Sequence, residues 1–192
     1  METRKQIADA IEVKLEVINN ELIHNNLQQS IELIVDAFRN DKKVLFCGNG
    51  GSAADAQHLA AELSGRFYFN RPPLNAEALH VNTSFLTAVS NDYSFDYAYE
   101  RMVGALGKKG DVLVAFSTSG NSVNIVNALK YATSIGMHTI GFTGREGGAM
   151  NSFCDILFCI PSTDTPRIQE VHILLGHIIC ENVEKLLFSN NA

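Results

Sequence analysis

Two stretches of this 192-residue chain carry an apolar run into glycines and hydroxyls. The first is Val44-Leu45-Phe46-Cys47, continued by Gly48-Asn49-Gly50-Gly51-Ser52. The second is Val112-Leu113-Val114-Ala115-Phe116, continued by Ser117-Thr118-Ser119-Gly120-Asn121-Ser122. Apolar runs of this length are strands, and a helical pattern follows each break. A strand that gives way to small polar residues at a helix start offers an anion free backbone N–H groups and the positive helix end. No Lys follows the glycines, so neither is a Walker loop, and G-x-G-G is not the G-x-G-x-x-G of a dinucleotide site. A single loop of this kind would equally suit a tight turn. Two of them, the second with Ser117, Thr118, Ser119 and Ser122 together, point to a phosphorylated sugar.

A second group carries acid–base or metal chemistry. His58 and Glu62 are four apart and share a face of the helix after the first loop. His177 lies eight residues after Gln169, about two turns along the last helix. If those helices face each other, the four side chains could meet. Two imidazoles, a carboxylate and an amide make a divalent metal site possible, with zinc favoured by the imidazoles. The same spacing also suits a surface His–Glu pair and a core histidine, so the spacing leaves both readings open. His24, His80 and His138 lie in a turn and two strands and are structural.

These residues must be positioned by an alternation of strands and helices. Residues 4–39 read as two helices, with Ile7, Ile11, Leu15 and Ile18 on one and Leu27, Ile31, Ile34 and Phe38 on the other. A turn is expected near His24-Asn25-Asn26. A helix runs from Gly51 to about Gly65, with Ser52 its expected N-cap. A loop follows from Arg66 to Pro73, then a strand over 77–81, a short helix over 82–89 ending near Ser90-Asn91-Asp92, and a helix over 95–106. Strands over 111–116, 138–142 and 155–160 alternate with helices over 121–135 and 167–187. Uniformly apolar strands that alternate with helices indicate a parallel sheet covered on both faces. Ligands of such sheets bind beyond the strands' carboxyl ends, where both loops lie. The last helix, with Val171, Ile173, Leu174, Leu175, Ile178, Ile179 and Cys180, has almost no polar face, so a second subunit is expected to cover what the sheet does not.

Composition sets outer limits. The length suits one domain, in which residues 1–40 form a helical hairpin for oligomerisation and 41–192 the α/β unit. A net charge of −6 without a basic stripe argues against nucleic acid. No apolar run approaches the ~20 residues of a membrane span, and the N-terminus has no signal-peptide core. Cys47, Cys154, Cys159 and Cys180 form no C-x-x-C and sit in apolar runs, as reduced thiols of a cytoplasmic protein do.

The residues quoted resemble the sugar isomerase (SIS) domain family, and within it the phosphoheptose isomerases. The resemblance spans nearly the whole chain: Cys47-Gly48-Asn49-Gly50-Gly51-Ser52, Asp55, His58, Glu62, Gly65-Arg66, Asn91-Asp92, Ser117 to Ser122, Arg167-Ile168-Gln169-Glu170 and His177. One departure is Asn82, where many members carry Asp. The resemblance implies a three-layer α/β/α sandwich with a five-stranded parallel, flavodoxin-like sheet, assembled as a homotetramer with sites at subunit boundaries. It implies conversion of sedoheptulose 7-phosphate to D-glycero-D-manno-heptose 7-phosphate, the first step toward the heptose of lipopolysaccharide or capsule. It implies one zinc per subunit, held by positions matching His58, Glu62, Gln169 and His177. The implied substrate contacts are Asn49, Gly50, Gly51, Glu62, Asn91, Asp92, Ser117, Thr118, Ser119, Ser122 and Gln169, with Ser52 and Arg66 beside them.

Ketose–aldose isomerisation through an enediol needs a base, an acid and a group that polarises the carbonyl. Glu62 is the expected base and His177 the expected acid, with the serines as a remote phosphate anchor. Burial would raise the carboxyl of Glu62 toward neutrality, whereas direct ligation of zinc would make it a poorer base. A SIS protein that senses a phosphosugar, or that binds the replication initiator, would need the serine loops but neither Glu62 nor His177. An arabinose 5-phosphate isomerase is less favoured, since the chain has no appended regulatory module.

Overall fold

The computed structural model describes residues 2–189. Two helices come first, α1 (Glu2–Ile18) and α2 (Glu21–Arg39). The break falls at Asn19-Asn20, earlier than the expected His24-Asn25-Asn26. Asn20 explains the shift: its backbone is extended and its side-chain oxygen accepts from the Leu22 and Ile23 N–H groups, starting α2 at once. The chain then alternates through β1 (Val44–Cys47), α3 (Gly51–Ser64), β2 (Ala76–Ala78), α4 (Thr83–Asp92), α5 (Ala98–Leu106), β3 (Val112–Phe116), α6 (Val123–Ser134), β4 (His138–Thr143), β5 (Ile156–Cys159) and α7 (Thr165–Phe188). The expected helix over 95–106 divides into a 3-10 turn, Phe95–Tyr97, and α5. A second 3-10 turn, Gly148–Ser152, lies where a plain loop was expected.

The five strands form one parallel sheet in the order β2-β1-β3-β4-β5. This is the flavodoxin-like order, and its switch point lies between β1 and β3. Val44 and Phe46 point to one face and Leu45 and Cys47 to the other, which is why every β1 residue is apolar. On the first face Phe46, Val114 and Phe142 pack with Ile34 of α2, Leu59 of α3 and Ile179 of α7. On the second, Leu45, Leu113 and Ala115 pack with Val103 of α5 and Ile125 and Leu129 of α6. The result is the three-layer sandwich.

The hairpin splits its duties. Leu27, Ile31 and Ile34 of α2 are buried against the sheet, whereas Ile7, Ile11, Leu15 and Ile18 of α1 are exposed in the single chain. Along α7, Val171, Leu175, Ile179 and Val183 are buried, while Leu174 and Leu186 are exposed and Ile173 and Ile178 half-buried. Asn82 is the N-cap of α4 and accepts from the Phe85 N–H, a bond that an amide oxygen makes as readily as a carboxylate.

Candidate active site

Both Ser/Gly loops emerge at the carboxyl end of the sheet, from the neighbouring strands β1 and β3. The first loop turns through Gly50, whose φ of 56° lies in the left-handed region. Gly50, not Ser52, is the N-cap of α3. Ser52 sits inside the first turn, buried, and its hydroxyl accepts from Gln169 Nε2 at 3.3 Å. The Tyr99 hydroxyl, buried from α5, donates to the Gly48 carbonyl and fixes the loop from below.

The second loop gathers its hydroxyls. Ser117 Oγ donates to Ser122 Oγ at 3.0 Å and lies 3.5 Å from Ser119 Oγ. Ser122 is the N-cap of α6, yet its hydroxyl does not cap the helix. The first turn of α6 and three hydroxyls thus share one concave end, the arrangement that holds a phosphate. The loop after β4 braces it: the Gly144 N–H donates to Thr118 O at 2.9 Å, Met150 N–H to Gly120 O at 3.1 Å, and Ala149 N–H to the Asn121 side chain at 2.9 Å. Gly120 has φ 67°, and a Cβ there would lie 2.1 Å from the Gly147 oxygen, so no other residue fits.

On the other side of the site α3 and α7 run alongside each other. Ser52 meets Gln169 near their starts, and His58 meets His177 about two turns on. His58 Nε2 lies 2.9 Å from His177 Nε2 and 3.1 Å from Glu62 Oε1. One ligand atom from each of the three falls within 4.8 Å of the others. Two zinc-bound imidazole nitrogens in tetrahedral geometry stand roughly 3.3 Å apart, given Zn–N bonds of about 2.0–2.1 Å. The His–Glu–His group therefore fits a single divalent cation in spacing and donor type. Gln169, eight residues before His177 on α7, donates to the Ser52 hydroxyl in the single chain.

The remaining expected residues lie at the rim. Asn91 and Asp92 close α4, exposed, and bond to each other at 2.9 Å. Arg66 is exposed at the start of the loop after α3.

That loop has a foundation that the sequence did not reveal. Glu184 of α7, 1% exposed, accepts from the backbone N–H groups of Phe67, Tyr68 and Phe69 and from Arg71 Nε at 2.8 Å. Burial alone would raise the Glu184 carboxyl, but these donors outweigh it and hold it below its usual range. Arg71 spends its other donors on the carbonyls that end α3, those of Glu62, Leu63 and Gly65. Phe67, held this way, packs its ring 5.9 Å from that of His177. A lone Glu among Val183, Leu186 and Leu187 was the available signal for Glu184. Asp55, one turn before His58, has a buried Oδ2 without a partner among the described residues, and burial raises its carboxyl while His58 opposes the shift.

Residues 6–144 match the SIS domain family. The chain belongs to the SIS domain family. A phosphoheptose isomerase of Clostridium acetobutylicum is 51% identical over 187 residues, covering 97% of this chain and 95% of that one. The structure of a phosphoheptose isomerase from Neisseria gonorrhoeae superposes with a TM-score of 0.90 at 44% identity, covering 96% of this chain and 97% of that one. One from Francisella tularensis gives 0.92 at 35% identity with the same coverage. Within its family this chain is thus an isomerase, similar over its whole length to phosphoheptose isomerases.

Proposed function

We propose that this SIS protein isomerises sedoheptulose 7-phosphate to D-glycero-D-manno-heptose 7-phosphate, opening heptose synthesis for lipopolysaccharide or capsule. The observation that carries the reading is the meeting of His58, Glu62 and His177 on two helices whose starts border the phosphate loops. A phosphosugar sensor or a partner-binding SIS protein needs the loops alone. Similarity to phosphoheptose isomerases over 97% of the chain supports the same substrate.

Ser117, Ser119 and Ser122, with the first turn of α6, anchor the phosphate, and Thr118 and Ser52 border it. Asn49, Gly50, Gly51, Arg66, Asn91, Asp92 and Gln169 line the sugar's path. Glu62 takes a proton from C1 and returns it to C2. His177 gives a proton to O2 as the enediol forms and recovers one from O1 as it collapses, so the exchange balances. Zinc, held by His58, Glu62, Gln169 and His177, would supply Lewis acidity to the sugar oxygens, and Glu62 would be a weaker base while it ligates the metal. Gln169, beside Ser52 in the single chain, serves the substrate as well.

The exposed stripe Ile7, Ile11, Leu15, Ile18 and Leu22, each between 52% and 64% exposed, supports the homotetramer with residues 1–40 at its contacts and residues 41–192 as the SIS unit. Four free cysteines support a reducing, cytoplasmic setting. No helix among the described residues is long and apolar enough to cross a membrane.

The test is proton NMR of sedoheptulose 7-phosphate with the purified protein in D2O. The expected result is the aldose with deuterium at C2, lost on chelation and restored by zinc. A folded protein that produces neither aldose nor exchange would overturn the reading in favour of a binding protein.

A further inference from the structure

We infer that Asn124 is a positioning residue of the sugar site, setting the orientation of the Asn49 amide across the switch-point crevice. The inference rests on the proposed reaction. Asn124 lies in the first turn of α6, 3% exposed, so it does not meet the substrate itself. Its amide and that of Asn49 form a reciprocal pair. Asn49 Nδ2 donates to Asn124 Oδ1 at 3.0 Å, and Asn124 Nδ2 donates to Asn49 Oδ1 at 2.8 Å. This pair bridges the loop after β1 and the helix after β3, the two walls of the crevice.

A reciprocal amide pair alone would not fix which way round the amides stand, since flipping both preserves it. The Ile125 N–H breaks that symmetry. It donates to Asn124 Oδ1 at 3.0 Å, so that atom must be the oxygen. Asn124 Nδ2 is then the donor to Asn49, and Asn49 must turn its own oxygen to meet it. An amide oxygen has two lone pairs and an amide nitrogen two hydrogens. Asn49 therefore keeps one donor hydrogen and one acceptor lone pair, in defined places, on a half-buried side chain at the loop. A donor and an acceptor side by side suit the neighbouring hydroxyls of a sugar. Nothing in the local chain otherwise dictates this rotamer, because Asn49 sits beside glycine on both sides.

The test is a double-mutant cycle of Asn49→Ala and Asn124→Ala, read as KM and kcat for sedoheptulose 7-phosphate. Asn124→Ala is expected to raise KM about tenfold with kcat changed less than about threefold. In the Asn49→Ala background the same substitution is expected to change KM by less than about twofold, because the residue it acts through is gone. An equal rise in both backgrounds, or no rise in the parent, would overturn the inference and leave Asn124 a structural residue. Asn124→Asp keeps the acceptor for Ile125 and Asn49 Nδ2 but cannot donate to Asn49 Oδ1. It too should raise KM, at unchanged far-UV circular dichroism. It covers the case in which Asn124→Ala fails to fold. Calorimetric titration of the same sugar phosphate reads the cycle through Kd without turnover. Absent turnover in the parent with an intact cycle in Kd would overturn the isomerase reading alone. Absent binding would overturn both.

Discussion

Glu184→Gln is a change of one atom at a site about as buried as a side chain can be. The Glu184 and Arg71 side chains are 1% and 2% exposed, and their N···O separation is 2.8 Å. Glu184 Oε1 takes Arg71 Nε and the Phe67 N–H, and Oε2 takes the Tyr68 and Phe69 N–H groups at 2.6 and 3.0 Å. Each carboxylate oxygen therefore faces two donors. Whichever oxygen becomes an amide nitrogen, two donors then confront a donor, and the Arg71 charge loses its counter-charge. Removing one partner of a buried pair costs about 3–5 kcal/mol. For a chain of this size each kcal/mol lowers Tm by about 2–4 °C, so a fall of about 10 °C is expected.

The assay is thermal unfolding followed by circular dichroism at fixed protein concentration, since assembly would otherwise shift Tm. Acidification supplies an internal control. The folded carboxyl of Glu184 sits below its ordinary value of 4.5, so its contribution is fully present above that value and disappears as pH falls through the folded one. The gap between parent and variant should therefore be constant near neutrality and narrow below about pH 4.5. A variant within about 2 °C of the parent at pH 7, or a gap that ignores acid, would refute the reasoning.

Three shorter predictions address the site and the core. Glu62→Gln should abolish deuterium incorporation while the far-UV spectrum is unchanged; normal turnover would remove Glu62 as the base. Ser119→Ala with Ser122→Ala should raise KM more than it lowers kcat, because the phosphate anchor is remote from C1 and C2, and steady-state kinetics showing mainly a kcat loss would contradict simple anchoring. His172 is buried between Phe116 and Phe142, and burial lowers its pKa to about 4, the Thr143 carbonyl opposing only in part. Its folded pKa is depressed, so stability is kept above the ordinary 6.5 and lost as pH falls from there toward 4, by roughly 2 kcal/mol at pH 5. His172→Leu should flatten that slope in urea midpoints measured at pH 7 and 5, and an unchanged slope would assign it to other groups.

The sheet was legible because β1, β3 and β5 each put apolar residues on both faces, as a doubly covered parallel sheet demands. Both Ser/Gly loops were legible for a related reason: glycine and serine are conspicuous where an apolar run stops. What escaped was set by contacts between residues distant in sequence. The α1–α2 break moved because one Asn oxygen, at Asn20, takes two N–H groups, a choice that the flanking apolar periodicity does not record. Ser52 looked like an N-cap, yet Gly50 took the position because the loop needs a left-handed φ before the helix can start. Arg71 and Glu184 are separated by more than a hundred residues, and neither has a neighbour in sequence that names the other.

Gln169 shows how far spacing alone can carry a site. Counting along α7 places it about two turns before His177. Helix α3 runs beside α7 with a matching offset, so each turn of one meets its own turn of the other. Ser52 takes the amide at one end, and His58, paired with Glu62, meets the His177 imidazole at the other. The Ser/Gly loops thus lie at one end of the helix pair and the His–Glu–His group further along. Gln169→Ala then has a definite expectation. It should raise KM for the sugar phosphate and lower the zinc bound per chain, measured by elemental analysis after dialysis. Unchanged zinc would remove the amide from the metal, and an unchanged KM would remove it from the substrate.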